Sequence, residues 1–379
     1  MSSTRAHTAL ASLSFGALGA CLTLPGSLLP VLVEAFDIRL VEAGSMLALQ
    51  PIGYLATVLA ARSLIRRFGA RQVVAGGLFA FGLGTAAFGA TTHWLAAAAA
   101  MLFSGLGFGS MEVAGNALLL ALGGTRNTNL LNFVHLFFGV GSLAAPMLIT
   151  RAVSMGVSWR WLFAIAGLLT MIIGLAWTLV ADVAARSEER PEGASPRSRV
   201  VPFLLAATLG VYVGVEMGIG GWLTKFMVGD HGVSLTYAGN VLSAYWLGLA
   251  AGRFLLSFVA HHVEERILLL LLSAAATAAV VVAVSAASPA IAAVAFVATG
   301  FGYSGIFPSV IALGGRHRPE NAAAITSILI AGAGVGGIIV PWLMSAISDL
   351  SSVRSGMVFY AVMTGVMATL AALLLRREV

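Results

Sequence analysis

The chain has 379 residues, of which 59% are hydrophobic and only 9% charged, and its mean hydropathy is +0.97. A soluble fold of this length cannot hide so much apolar surface, so a lipid bilayer is the expected surrounding. The formal charge of +6 would suggest a nucleic-acid partner in a soluble chain. Here the basic residues sit in short segments between apolar ones and need no nucleic acid to explain them. The single cysteine, Cys21, excludes a disulfide framework and any cysteine-based metal cluster.

A span across a bilayer needs about 20 mostly apolar residues. In chain order the first six predicted spans are Leu10–Val33, Ala43–Leu64, Val73–Ala90, Leu95–Leu122, Leu130–Ile149 and Trp161–Val180. The other six are Val201–Val228, Ala238–Val259, Ile267–Val284, Ile291–Leu313, Ala322–Ile347 and Met357–Leu375. The expected fold class is therefore all-α and integral to the membrane. Its twelve transmembrane helices form an N-terminal six-helix half (1–181), a solvated linker rich in Arg, Glu, Pro and Ser (182–199) and a C-terminal six-helix half (200–379). Leu18-Gly19-Ala20-Cys21 looks like a lipoprotein cleavage site, but cleavage there would cut the first span in half.

If the N-terminus is cytoplasmic, the outer segments hold only Arg39, Arg151, Arg160, Lys225 and Arg354 of the 21 Lys and Arg residues. Cytoplasmic loops carry the basic excess, so both termini are expected in the cytoplasm of a bacterial inner (plasma) membrane protein.

The two halves match at an offset of 195 residues. That register pairs Leu40-Val41-Glu42-Ala43-Gly44 with Leu235-Thr236-Tyr237-Ala238-Gly239, and Gly53 with Gly248. It also pairs Gly105 and Gly107 with Gly300 and Gly302, Gly139 and Gly141 with Gly334 and Gly336, and Pro146 with Pro341. Such an internal repeat predicts two parallel six-helix units, with any substrate site expected between them near the midplane. The glycines have a plainer use, since small residues let helix backbones approach closely.

Glu112, Glu216 and His135 are the acidic and histidine side chains that fall deep inside predicted spans, where an unpaired charge costs several kcal/mol. Glu112 and Asn116 share a helix face, as do Tyr212 and Glu216 at the same spacing. Asn132 and His135 share a face of the fifth span, and a hairpin about residues 123–129 brings Asn116 and His135 to similar depth. Gln50 and Tyr245 occupy equivalent places in the repeat. Together these groups could line one cavity. Each also admits a plain reading, in which it satisfies a neighbour inside a helix bundle, and for Gln50, Asn132 and Tyr245 that reading comes first. Trp222 and Trp246 could stack on a sugar ring or sit at a membrane interface, with the interface favoured for Trp222 near the end of its span. A carboxyl group that gains its proton on one side of the membrane and loses it on the other is the simplest device for coupling a solute to a proton gradient.

Six-plus-six repeats of this kind resemble the major facilitator superfamily over nearly the whole chain. Gly105-Leu106-Gly107-Phe108-Gly109-Ser110-Met111-Glu112-Val113-Ala114-Gly115-Asn116 is similar to the fourth-helix motif of the fucose and glucose/mannose permeases, which carry an acid four residues before an asparagine. Asn132-Phe133-Val134-His135-Leu136-Phe137-Phe138-Gly139 resembles their fifth helix, and Tyr212-Val213-Gly214-Val215-Glu216 and Gly305-Ile306-Phe307-Pro308 resemble their seventh and tenth. The resemblance implies a proton-coupled hexose symporter working by alternating access. Proton coupling then falls to Glu112, Glu216 and His135, and substrate contact to Asn116, Asn132, Gln50, Tyr212, Tyr245, Trp246 and Tyr303. A cytoplasmic gate at Arg67, Gly69 and Arg253 is expected on the same grounds.

Two departures stand out. No acid precedes Glu34 in the first span, where the fucose permease has an aspartate. The family's loop between helices two and three reads glycine, aspartate-arginine, glycine, whereas this chain has Arg62 for the first glycine and Arg66 for the aspartate, with Arg67 and Gly69 kept. A small-molecule substrate and a proton are the expected partners, in a monomer without cofactor, metal or catalytic residues. An exporter of drugs, siderophores or other small organic molecules is the competing expectation. An enzyme is not expected, because no paired acids or metal-ligand cluster are present.

Overall fold

The computed structural model describes residues 2–123, 127–181, 200–259, 262–317 and 322–376. The predicted linker 182–199 lies outside them. Fourteen α-helices make up the described residues: α1 (Ser2–Ser27), α2 (Leu29–Phe36), α3 (Leu40–Phe68), α4 (Ala70–Ala90), α5 (Trp94–Gly123), α6 (Asn127–Ser154) and α7 (Trp159–Trp177), then α8 (Val200–His231), α9 (Leu235–Val259), α10 (Glu265–Ser285), α11 (Pro289–Tyr303), α12 (Ile306–His317), α13 (Ala322–Leu350) and α14 (Val353–Leu375). They supply twelve apolar helical segments long enough to cross a membrane. The chain is an all-α integral membrane protein with twelve transmembrane helices.

Two of the predicted spans are broken rather than continuous. The first stops at Ser27 and resumes as α2, whose opening turn contains Pro30. The tenth stops at Tyr303 and resumes as α12, whose third residue is Pro308. Proline lacks the N–H that would continue the preceding helix, and it is accommodated in a first turn where that N–H has no partner to bond.

The described residues fall into two compact units. One comprises Met1–Ile38 and Ser45–Glu188, the other Arg39–Gly44 and Glu189–Val379. In the first, α4 packs on α5 and α7, and α1 on α6. In the second, α10 packs on α11 and α14, and α8 on α13. The pattern is the same when each helix is shifted by one repeat, and it extends to single glycines. A methyl group at Gly53 would run into the carbonyl of Leu102, and one at Gly248 into that of Val297, which is the same pair displaced by 195 residues. Likewise Gly105 lies against the carbonyl of Gln50, and Gly300 against that of Tyr245. Backbones this close leave no room for a side chain.

Arginines close the helix ends. Arg71, at the start of α4, donates to the carbonyls of Thr178 (3.1 Å) and Val180 (2.6 Å) just beyond α7. Arg160, at the start of α7, donates to Gly89 (3.0 Å) and to Thr91 at the end of α4. In the second unit Arg354 donates to Val284 at the end of α10 (3.2 Å). Carbonyls at helix C-termini have no partner in their own helix, so these guanidiniums satisfy them. Two of the five basic residues assigned to the outer side, Arg160 and Arg354, thus have structural work that explains their place.

Candidate functional site

In the first unit the site is built on α5 and α6, with α1 and α3 beside them. Glu112 lies in the second half of α5, and Tyr54 of α3 lies in its neighbourhood, its backbone against Gly105 and Gly109 of α5. The Glu112 carboxylate oxygen Oε2 is buried and has no hydrogen-bond partner among the described residues. A buried oxygen of this kind normally finds a donor, so an unfilled one marks a place for a ligand, a water or a proton. One turn along the same face, Asn116 Oδ1 accepts from His135 Nε2 of α6 at 3.0 Å. The amide oxygen can only accept, which assigns the proton to Nε2. The ring of Phe15 on α1 packs 4.5 Å from the His135 ring, centroid to centroid. Gln50 of α3 donates to Ser104 of α5 at 3.2 Å, a helix-to-helix bond inside the bundle. The side chain of Asn132 lies outside the described residues.

In the second unit Glu216 sits midway along α8 and is 4% exposed. The Tyr212 hydroxyl donates to its Oε1 at 2.8 Å, the i, i+4 contact expected from the sequence. The guanidinium of Arg253 on α9 lies 3.7 Å from the same oxygen. Tyr245 donates to the backbone carbonyl of Glu216 at 3.1 Å, and Tyr303 of α11 shares a 2.8 Å hydrogen bond with Thr364 of α14. The rings of Tyr212 and Tyr303 meet edge to face at 5.9 Å. Trp246 is buried with its Nε1 unpartnered, and so is the hydroxyl of Tyr360.

The three residues expected at a gate have separate surroundings. Arg67 stacks its guanidinium over Phe68, 5.3 Å from the ring centroid. Gly69 joins α3 to α4 with φ of 81°, a conformation that favours glycine. Arg253 is turned to Glu216 within its own unit. Trp222 is 1% exposed, which corrects the expectation of an interfacial tryptophan. Its neighbours Leu223, Thr224, Phe226 and Met227 are buried too, and α8 becomes exposed only at its ends, at Val200 and Phe203 and at Gly229 and Asp230.

Tyr54, Tyr360 and Thr364 were absent from the sequence-derived site, and Arg253 was expected at a gate rather than beside Glu216. Arg253 carried a usable signal, because it lies six residues inside the end of α9 while the chain has few charges to place in spans. Tyr54 adjoins Gly53, whose close approach to α5 sets the tyrosine's backbone against Gly105 and Gly109, on the helix that carries Glu112. Among the described residues no group of three or more His, Cys, Asp or Glu side chains could hold a metal ion.

The model of the Major Facilitator Superfamily matches residues 11–317 and 204–379. The chain belongs to this superfamily. It is therefore a membrane transporter and not an enzyme. Among curated relatives it is 21% identical over 334 residues to the glucose/mannose transporter GlcP of Bacillus subtilis, covering 84% of this chain and 82% of that protein. Its fold matches the nucleoside transporter NupG with a TM-score of 0.78 at 12% identity, over 99% of this chain and 99% of that one. It also matches a variant of the E. coli fucose:proton symporter FucP with a TM-score of 0.65 at 19% identity, over 100% of both chains. These superfamily relatives carry different solutes, so the fold alone does not choose one.

Proposed function

We propose that this transporter takes up a hexose or related sugar across the bacterial inner membrane together with a proton, with both termini in the cytoplasm. The observation that carries the reading is the buried, unpartnered Oε2 of Glu112 one turn from the Asn116–His135 pair. A carboxyl group able to hold a proton then stands beside an amide and an imidazole, which both donate and accept hydrogen bonds. Sugar hydroxyls do the same, and recognising them calls for neutral groups of this kind. In the cycle Glu112 takes the proton, Asn116 and His135 contact the solute, and the site is exposed to the two sides of the membrane in alternation. Glu216 is a second acid, but it is already held by Tyr212 and Arg253. We assign it to positioning the tyrosine cluster of its unit, with Tyr245 and Tyr303 as its neighbours. The relative named as a glucose/mannose transporter supports the same choice.

The test is uptake of radiolabelled hexoses into proteoliposomes under an imposed pH gradient, acid outside. Accumulation of a hexose above its outside concentration, abolished when the gradient is collapsed, is expected. Accumulation that ignores the gradient would remove the proton from the proposal, and no hexose flux at all would remove the sugar.

A further inference from the structure

The second compact unit takes in Arg39–Gly44, the opening of α3, while the rest of that helix from Ser45 belongs to the first. What holds this opening is a helix cap. The first N–H groups of a helix have no partner within it, and a Ser, Thr, Asp or Asn just before the helix normally supplies one. α3 is preceded by Arg39, whose side chain has no acceptor to offer. Asp349 of α13 fills the place. Its Oδ1 accepts from the Leu40 N–H at 3.0 Å, and its Oδ2 lies 3.7 Å from the Arg39 guanidinium. Just beyond, a methyl group on Gly44 would run into the side chain of Ser345, with the Trp222 ring 3.6 Å from the same point. The opening of α3 is thus tied to α13 by a cap and by a close contact.

The repeat of 195 residues shows that one half alone is built this way. The counterpart of Arg39 is Ser234, and that serine caps its own helix, its hydroxyl accepting from the Tyr237 N–H at 3.2 Å. The counterpart of Asp349 is Ser154, whose hydroxyl donates to the Arg151 carbonyl of its own helix at 2.8 Å. Where α9 has a local cap, α3 borrows one from a separate helix. Asp349 does nothing for α13, because it stands in the last turn, where the helix dipole disfavours an acid. Its charge serves the positive end of α3 instead.

We propose that Asp349 is a releasable latch on the outer end of α3, and that letting go of Leu40 and Arg39 is a step in opening the transporter to the outside. A cap from the residue before a helix travels with that helix, whereas a cap from α13 must break before α3 and α13 can part. The N–H and the carboxylate each bond to water once apart, so the net cost of release is small. The inference rests on the outer placement and the alternating access proposed above, and not on the choice of solute or of proton site.

Ser345 is fully buried, so the thiol of Ser345→Cys reports release. The full-length protein in intact cells is treated with an impermeant maleimide, and the rate of labelling is measured; Cys21 is buried and gives little background. Adding Asp349→Ala should raise the rate about fivefold. Asp349→Asn keeps an oxygen that accepts from Leu40 and should stay within about twofold of the parent. Arg39→Gln should do the same, because the Arg39 side chain is 69% exposed and its ion pair is screened. The deciding variant joins Asp349→Ala to Arg39→Ser, which gives α3 a local cap of the kind α9 has and keeps the helix end folded. Labelling that stays raised in this variant supports the latch. A return to the parent rate would make Asp349 an ordinary cap and overturn the proposal, as would an unchanged rate in Asp349→Ala. Ser351→Cys, exposed just beyond α13, checks the placement separately. Its failure to react from outside would overturn the topology, and with it the outer position of the latch.

Discussion

His135 Nε2 lies 3.0 Å from Asn116 Oδ1, and the bond joins two consecutive helices, α5 and α6, inside the first unit. Asn116 is one turn from Glu112, so a hydrogen-bonding pair and a half-buried acid share one face of α5. Replacing His135 with Phe keeps the ring that packs on Phe15 but removes the donor and leaves Asn116 without it. A lost hydrogen bond of this kind is worth about 1 kcal/mol. Half-saturation for the transported hexose should therefore rise by about fivefold or more in His135→Phe, while the protein still folds and inserts. An unchanged half-saturation would reduce His135 to a packing role.

Tyr54→Phe deletes one hydroxyl, that of the tyrosine neighbouring Glu112 across the contact of α3 with α5, from which the proposed cycle draws a hydrogen bond to the carboxylate. Hydrogen bonds to carboxylates contribute about 1.5–3 kcal/mol. The initial rate of pH-driven uptake should fall by about tenfold or more at unchanged expression. A wild-type rate would mean that the hydroxyl does not hold Glu112 in its working position.

Glu216 and Arg253 should behave as a coupled pair. Glu216→Gln leaves Arg253 without its carboxylate, Arg253→Gln leaves a buried acid uncompensated, and the double variant removes both problems. The Arg253 side chain is 51% exposed, so solvent screens the pair and a coupling of about 1 kcal/mol is expected. Thermal unfolding of the four proteins in detergent measures it. Strictly additive losses would show that the 3.7 Å approach contributes nothing.

Topology follows from the basic asymmetry. Cysteines introduced at Ser187 and at Ser351 should react with an impermeant maleimide from opposite sides of the membrane. Cys21 is buried and gives little background. Labelling of both positions from one side would reject the twelve-span arrangement.

The spans and the repeat were legible because they rest on features that survive averaging over many residues. Hydropathy marks a bilayer-spanning helix whatever its rotation, and a repeat of 195 residues shows in the glycines because close helix contacts tolerate nothing larger. The paired approaches of Gly53 to Leu102 and Gly248 to Val297 are the physical content of that register. Within one helix the i, i+4 bond from Tyr212 to Glu216 was equally readable. Partners on separate helices were not. Whether Arg253 turns to a loop or to Glu216 depends on the rotation of α9 against α8, and hydropathy carries no such information. Tyr54 was missed for the same reason. Trp222 was misjudged because span position was used for burial, although α8 stays buried around it from Leu223 to Met227. The breaks before α2 and α12 had a signal in Pro30 and Pro308, but proline is common enough in membrane helices to be passed over.

The substitution Glu112→Gln bears most directly on coupling. A glutamine is permanently neutral and imitates the protonated, loaded carrier, which can still move bound solute in both directions. In proteoliposomes the variant should lose concentrative hexose uptake driven by a pH gradient and keep counterflow of labelled for unlabelled hexose at a rate within a few-fold of wild type. If pH-driven accumulation survives in Glu112→Gln, the proton is carried elsewhere, and Glu112 is not the coupling group.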